Sequence, residues 1–327
     1  MSSRHRVTVI IPAYNVGNFI DDALASVAAQ TLAPAEVVVV DDGSTDDTNA
    51  RVKRWNGRLG ATRLILLEGA NYGLSVSRNR GILAGSGDIF AFLDGDDYFL
   101  PRHLERLVPG FIAMPELALA FADMERFSAA ADTLGESLAL LRPALRAIST
   151  PLHSTELHLL GAGLRSVYLE QMRIVPSSWL VTRAAVARAG LFDTSKSYGE
   201  DLDFLWRLLA GGSAAWYDGV TVRRREHPGS ASSPERASWS TPQLLQQLAL
   251  LRAFTPKLTP AELQALDRSI DEALHDTSWL SAVEGIGAYV RFRRNARGWI
   301  GRRPPFYPKH LMRGLLNTVR PGLGNSR

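Results

Sequence analysis

The chain has 327 residues, 46% of them hydrophobic and none of them cysteine, with a formal net charge of +4. That length and apolar content suffice for a packed core, while the lack of cysteine excludes disulfides, zinc–thiolate sites and a cysteine nucleophile and fits a reducing compartment. The modest total conceals segregation: after Glu284 there are ten Arg and Lys residues and no acid, which leaves 27 basic against 33 acidic residues, or −6, before it.

Residues 7–11 are too short an apolar run for a signal peptide and are followed at once by Pro12, so they read as a first strand. Similar runs recur at 37–40, 64–67 and 89–93, spaced to leave a helix after each of the first three. This is the βαβ rhythm of a mainly parallel sheet. Such sheets bind ligands beyond the strand C-terminal ends, where this chain places the polar segments 12–15, 41–45, 68–73 and 94–97. Pro101 is the expected first residue of the next helix, with Leu104, Leu107 and Val108 on one face and Pro109–Gly110 ending it. Residues 117–121 read as another strand. Residues 132–153, with Pro143, Pro151 and scattered leucines, read as an irregular or mobile insertion of the kind that often handles an acceptor.

Pattern returns with a strand near 178–182, a helix over 183–189 stopped by Gly190, and an amphipathic helix after Gly199. A strand pair is expected at 214–217 and 220–224, and the Ser-rich stretch 230–240 reads as a linker. Beyond it Leu244, Leu248 and Leu251 keep helical spacing. Thr259, Pro260 and Glu262 then form a capping-box start to a helix carrying Leu263, Leu266, Ile270 and Leu274. No window approaches the roughly 18 consecutive apolar residues of a membrane span, so a soluble or peripheral protein is expected.

The densest chemistry lies in DIFAFLDGDD (88–97), a buried-type strand ending in Asp94, Asp96 and Asp97. Carboxylates crowded at a strand end repel unless a cation such as Mg²⁺ or Mn²⁺ joins them, and such ions also take oxygens from a diphosphate. An acidic turn that merely precedes a helix, using its dipole, explains the same residues equally well. An EF-hand is excluded because Phe99 stands where that loop requires Gly. In VVVVDDGSTDDT (37–48), Ser44 and Asp46 are accounted for as helix caps, but Asp42 is not; a carboxylate there can accept from a base N–H or a ribose hydroxyl. The first strand ends IIPAYN (10–15), without the Gly-rich turn that cradles phosphate in dinucleotide and P-loop folds. Tyr14 can stack on a base or simply pack in the loop.

IIPAYN, VVVVDDGSTDDT, NYGLSVSRNRG (71–81), FLDGDD (92–97) and YGED (198–201), in that order and at those separations, resemble the family 2 glycosyltransferases of the GT-A fold, over about residues 6–232. The resemblance implies an α/β fold with a Rossmann-like, mainly parallel central sheet flanked by helices. To this we add a helical C-terminal appendage, with domains at 1–232 and 233–327. It further implies an inverting sugar transfer from a nucleotide-sugar, most often UDP-linked, to a glycan or lipid-linked acceptor, with a divalent metal held through an Asp-x-Asp turn. Carried over residue by residue, Pro12 and Tyr14 would line the nucleoside pocket, Asp42 would meet the uracil, and Arg78 and Asn79 would lie along the nucleotide. Asp96 would hold the metal, Asp94 would stand nearer the nucleoside or sugar, and His227 would assist the metal or diphosphate. Asp201 would be the catalytic base, although a carboxylate at a helix N-terminus is also explained by the dipole. A metal-dependent nucleotidyltransferase and a non-catalytic nucleotide- or glycan-binding scaffold are the rival readings.

The stretch 289–303 interleaves Arg291, Arg293, Arg294, Arg297, Arg302 and Arg303 with Phe292, Trp299 and Ile300. It suits anionic lipid headgroups, or is a solvated basic tail; no nucleic-acid recognition motif accompanies it, so no nucleic-acid partner is expected. A cytoplasmic protein, with a peripheral position at the inner face of the membrane as its further option, is the expected location.

Overall fold

The computed structural model describes residues 6–196, 198–230, 237–255, 258–300 and 304–319. Its contacts divide the chain into a first unit, Met1–Tyr168 with Met172–Glu226, and a second, Leu169–Gln171 with His227–Arg327.

The first unit opens with β1 (Val7–Ala13), α1 (Ile20–Ala28), β2 (Glu36–Asp41), α2 (Thr48–Arg54), β3 (Arg63–Glu68), α3 (Leu74–Ala84) and β4 (Ile89–Phe92). β1, β2 and β4 are buried along their whole length. Their unbroken apolar runs therefore mark strands covered on both faces rather than an alternating sheet surface. All three pairings in β3-β2-β1-β4 are parallel. The chain leaves β1 toward β3 and returns to β4 on its other side, so the C-terminal ends of β1 and β4 flank the switch point at which open α/β sheets bind ligands.

The expected elements next differ in detail. β5 (Tyr98–Phe99) follows the acidic turn, and α4 (His103–Ala113) begins two residues after Pro101 and runs through Pro109. Burial of Phe111 beyond the proline, together with Leu104 and Leu107, keeps the helix intact despite the missing N–H. β6 (Leu117–Ser128) is longer than read. The supposedly irregular insertion contains β7 (Gly135–Glu136), α5 (Arg142–Ala147) and β8 (Ser149–Pro151). It is fastened by Arg142, which pairs with Asp123 at 2.8 Å, Glu136 at 2.5 Å and Asp218 at 3.3 Å.

β9 (Leu157–Leu160), α6 (Leu164–Gln171), β10 (Trp179–Thr182), α7 (Arg183–Ala189), α8 (Glu200–Ala210) and β11 (Ser213–Glu226) follow. β11 is one strand rather than the expected pair, because the register against β6 shifts between Tyr217 and Val220 without the ladder breaking. Asp218–Gly219, which reads as a turn, is a bulge. Among the described residues the eleven strands form one sheet, its main path β3-β2-β1-β4-β10-β6-β11-β9-β8.

α3 packs on β1 without room to spare, since a Cβ at Gly81 would stand 2.3 Å from Ile10 Cγ2. Gly81→Ala is expected to lower stability by about 1–3 kcal/mol through overpacking, read as a lower urea midpoint with an unchanged slope.

The second unit carries α9 (Ala237–Phe254), α10 (Pro260–Glu284), α11 (Ile286–Ile300) and α12 (Pro308–Val319). The expected capping box is present: Thr259 Oγ1 accepts from Glu262 N at 3.2 Å and Thr259 N donates to Glu262 Oε2 at 2.7 Å. Leu266, Ile270 and Leu274 of α10 are buried. Of the expected linker, residues 231–236 lie outside the described residues, as do Arg302 and Arg303. No described helix is long and apolar enough to cross a membrane.

Candidate active site

The loops beyond β1, β2 and β3 are bound to one another by side chains. Pro12 is buried in the β1–β2 ladder opposite Val40, and the exposed Tyr14 accepts from Asn71 Nδ2 at 3.3 Å. Asn15 ties the first two loops together: its N–H donates to Ser44 Oγ at 3.0 Å and its Oδ1 accepts from Thr45 N at 2.8 Å. Gly43 has φ 80°, and a Cβ there would meet Asn71 N at 2.9 Å, so the third loop can close over the second only at a glycine. Asp42 is buried, and its two carboxylate oxygens accept from Tyr72 N at 2.8 Å and Gly73 N at 2.7 Å. It shapes the turn that launches α3, while each oxygen retains a second lone pair for a ligand.

Arg78 is the centre of the arrangement. It is 2% exposed, and its guanidinium donates to Glu200 Oε1 at 2.8 Å and to Asp94 Oδ1 at 3.0 Å, with the Phe192 ring centroid 5.4 Å away. Burial works against its charge, but Asp94, Glu200 and Asp201 hold its pKa above the ordinary arginine value. The adjacent Asn79 faces elsewhere: its Nδ2 donates to Phe192 O at 2.8 Å and its Oδ1 accepts from Phe192 N at 2.9 Å. This amide anchors the segment leading to α8.

The acidic turn is rigidly supported. Asp94 N donates to Ser177 Oγ at 3.1 Å, and Asp97 N donates to Asp94 O at 3.0 Å. Asp97 is buried and accepts from Arg225 N at 2.9 Å; the Arg225 side chain reaches Asp96 O at 3.1 Å and Asp22 at 2.7 Å. Burial, then Asp96 and Asp94, push the Asp97 carboxyl well above the usual carboxylate range. Asp94 and Asp96 remain half-buried. Because a strand rather than a helix follows the turn directly, the helix-dipole explanation of these acids does not apply.

Asp201 lies in the first turn of α8, after Gly199 in a left-handed conformation at φ 75°, and accepts from its neighbour Leu202 N at 2.8 Å. Burial and the charge of Glu200 raise its carboxyl to about 6, against the lowering effect of Arg78. The same two carboxylates, after burial, drive the buried Tyr168 hydroxyl well above its ordinary value. The structure thus links Asp94, Arg78, Glu200 and Asp201 in one charged set. His227 belongs to the second unit, where its N–H donates to Ser230 Oγ at 3.2 Å. Arg225, Tyr168, Phe192 and Ser177 were not singled out by sequence reasoning, and no local pattern marks them.

Among the described residues no three His, Asp or Glu side chains gather into a group able to hold a metal ion. The half-buried Asp94 and Asp96 nonetheless fit a Mg²⁺- or Mn²⁺-type ion, which usually takes one or two carboxylates and completes its shell with water and substrate phosphates.

A family model described as Glycosyl transferase family 2 matches residues 8–136. A relative from Rickettsia typhi, the uncharacterized glycosyltransferase RT0329, is 26% identical over 83% of this chain and 78% of its own length. Three relatives at 38% identity match over 101 to 108 residues, and the chain spans only 31%, 14% and 29% of their lengths. The mannosyltransferase PcManGT from Pyrobaculum calidifontis, solved with GDP-Man and Mn²⁺, is 19% identical with a TM-score of 0.60, covering 98% of this chain and 88% of that one. S. aureus TarS 1-349, solved with UDP-GlcNAc, is 18% identical with a TM-score of 0.54, covering 91% of this chain and 92% of that one. The resemblance to the family 2 glycosyltransferases and the GT-A type of α/β fold with a helical C-terminal region are borne out.

Proposed function

We propose that the chain is an inverting glycosyltransferase that moves a sugar from a nucleoside-diphosphate sugar to a hydroxyl of a glycan or lipid-linked acceptor. The observation that carries this reading is the single buried guanidinium of Arg78, which joins Asp94 of the acidic turn to Glu200, next to Asp201. A donor-side carboxylate and a candidate base are thereby held in one frame. The first unit houses this site.

In the proposed step the acceptor oxygen forms a bond to the anomeric carbon as the bond to the departing diphosphate oxygen breaks, and the acceptor proton passes to Asp201. A carboxyl raised to about 6 is ionised at neutral pH and basic enough to take that proton. Pro12 and Tyr14 flank the nucleoside, and Asp42 meets the base through its remaining lone pairs. Arg78 and Asp94 border the diphosphate and sugar, and Asn79 acts by fixing the Phe192 segment. The nucleobase is assigned as uracil, as in the UDP-GlcNAc of TarS, although PcManGT takes GDP-Man. A divalent ion held by Asp96 would supply charge neutralisation for the departing diphosphate.

A thermal-shift screen of UDP- and GDP-sugars with and without Mn²⁺ tests the reading, since a ligand that binds only the folded state raises the melting temperature. One UDP-sugar is expected to stabilise the protein in a Mn²⁺-dependent way that EDTA reverses. Asp96→Ala is expected to weaken that binding by about tenfold or more, or about 1.4 kcal/mol. Donor binding indifferent to EDTA and to that change would remove the metal from the proposal.

A further inference from the structure

α12 is an amphipathic helix turned inside out. A surface helix ordinarily buries its apolar face and shows its polar one to water. Here the inward contacts are polar or small: His310 is buried with Nδ1 2.9 Å from Ser278 Oγ, Asn317 Nδ2 donates to Val283 O at 2.9 Å, and Thr318 Oγ1 accepts from Ile286 N at 2.9 Å. Gly314 lets the helix approach the start of α11, where a Cβ would stand 3.3 Å from Ile286 Cα. The outward face carries Met312, Leu315 and Leu316 at 56%, 43% and 60% exposure, with Lys309 on the same face at helical spacing and Phe306 just before the helix at 57%.

Cations lie on one flank of this face. Arg293 donates to the carbonyls of Pro305 and Pro304 at 2.5 and 3.2 Å and lies 5.4 Å from the Phe306 ring, which places the arginine-bearing α11 beside it. Arg291, Arg294, Arg297 and Lys309 are exposed and have no ion-pair partner among the described residues. No acid occurs anywhere after Glu284.

We infer that the exposed face of α12 and the cationic flank of α11 form a docking surface for an anionic lipid bilayer. An apolar helical face rimmed by Lys and Arg sits in the headgroup boundary with its apolar side chains about 5–10 Å deep, and each nearby cation adds about 1 kcal/mol on an anionic leaflet. A second copy of this chain would bring the same unpaired cations against each other. A nucleic acid would satisfy the arginines but leave Met312, Leu315 and Leu316 in water.

Co-sedimentation of the full chain with phosphatidylcholine vesicles, with and without phosphatidylglycerol, tests this without donor or turnover, so its outcome is separate from that of the glycosyltransferase reading. Retention on the phosphatidylglycerol vesicles, falling as salt is raised, is expected. The double change Met312→Glu and Leu316→Glu should cut the bound fraction about tenfold or more, as removal of two buried apolar side chains requires. Arg294→Glu with Arg297→Glu should weaken it comparably by reversing charge. All four residues are solvent-exposed on their helices, so melting temperature and far-UV circular dichroism should match wild type, a control run beside each variant. Absence of retention on the anionic vesicles overturns the inference, as does retention that neither variant alters. A concentration-dependent dimer in gel filtration that Met312→Glu with Leu316→Glu abolishes, without vesicle binding, would assign the face to a second copy instead.

Discussion

Asp201→Asn is expected to lower kcat by about 10²–10⁴-fold, the usual contribution of a positioned general base, while donor binding measured by thermal shift stays at the wild-type level. Asparagine keeps the size of the side chain and can still accept from Leu202 N, as Asp201 does at 2.8 Å, so the first turn of α8 should persist. What it cannot do is take the acceptor proton. The wild-type rate should also show an acid limb near pH 6, because the working form of Asp201 is the carboxylate and burial with Glu200 has raised its pKa from 3.8 to about 6. Stability runs the other way for this group. A carboxyl that binds its proton more tightly when folded favours the folded state as pH falls from about 6 toward 3.8, and Asp201→Asn should remove that component from the pH dependence of urea unfolding. Full turnover by Asp201→Asn would exclude the residue as the base.

Much of the first unit was legible because β1, β2 and β4 are buried along their whole length and β3, though part-exposed, keeps an apolar run, and apolar runs bounded by turn residues report strands directly. The runs 37–40, 64–67 and 89–93 coincide with β2, β3 and β4 to within a residue or two. Local chemistry misled where tertiary pairing overrode it. Asp218–Gly219 has turn composition, yet β6 holds both halves of β11 in one ladder. Pro109–Gly110 has the composition of a helix end, yet α4 continues because Phe111 is buried. The candidate site was legible as a set of motifs but not as a mechanism of support. Nothing in the sequence says that the amide of Asn79 is taken up by the backbone of Phe192, 113 positions away, or that Arg78 and Glu200, 122 positions apart, share a hydrogen bond. Such pairings depend on how loops from distant strands meet.

Arg78→Met tests that support, and the expected loss is large. Methionine replaces the stem of the side chain but removes the cation from between Asp94 and Glu200, leaving carboxylates that are 34% and 12% exposed facing each other with Asp201 nearby. Breaking a buried ion pair by deleting one partner costs about 3–5 kcal/mol, which urea unfolding at neutral pH would read as a lower midpoint. Arg78 lowers the pKa of Asp201, so its removal should also move the acid limb of the rate above pH 6. Arg78→Lys separates the two effects. A lysine returns the charge but not the planar fork that reaches both carboxylates at once, so the limb should stay near 6 while stability is only partly restored. An arginine that served only as packing would give the opposite ranking: methionine would be tolerated, the limb would not move, and lysine would gain nothing over it.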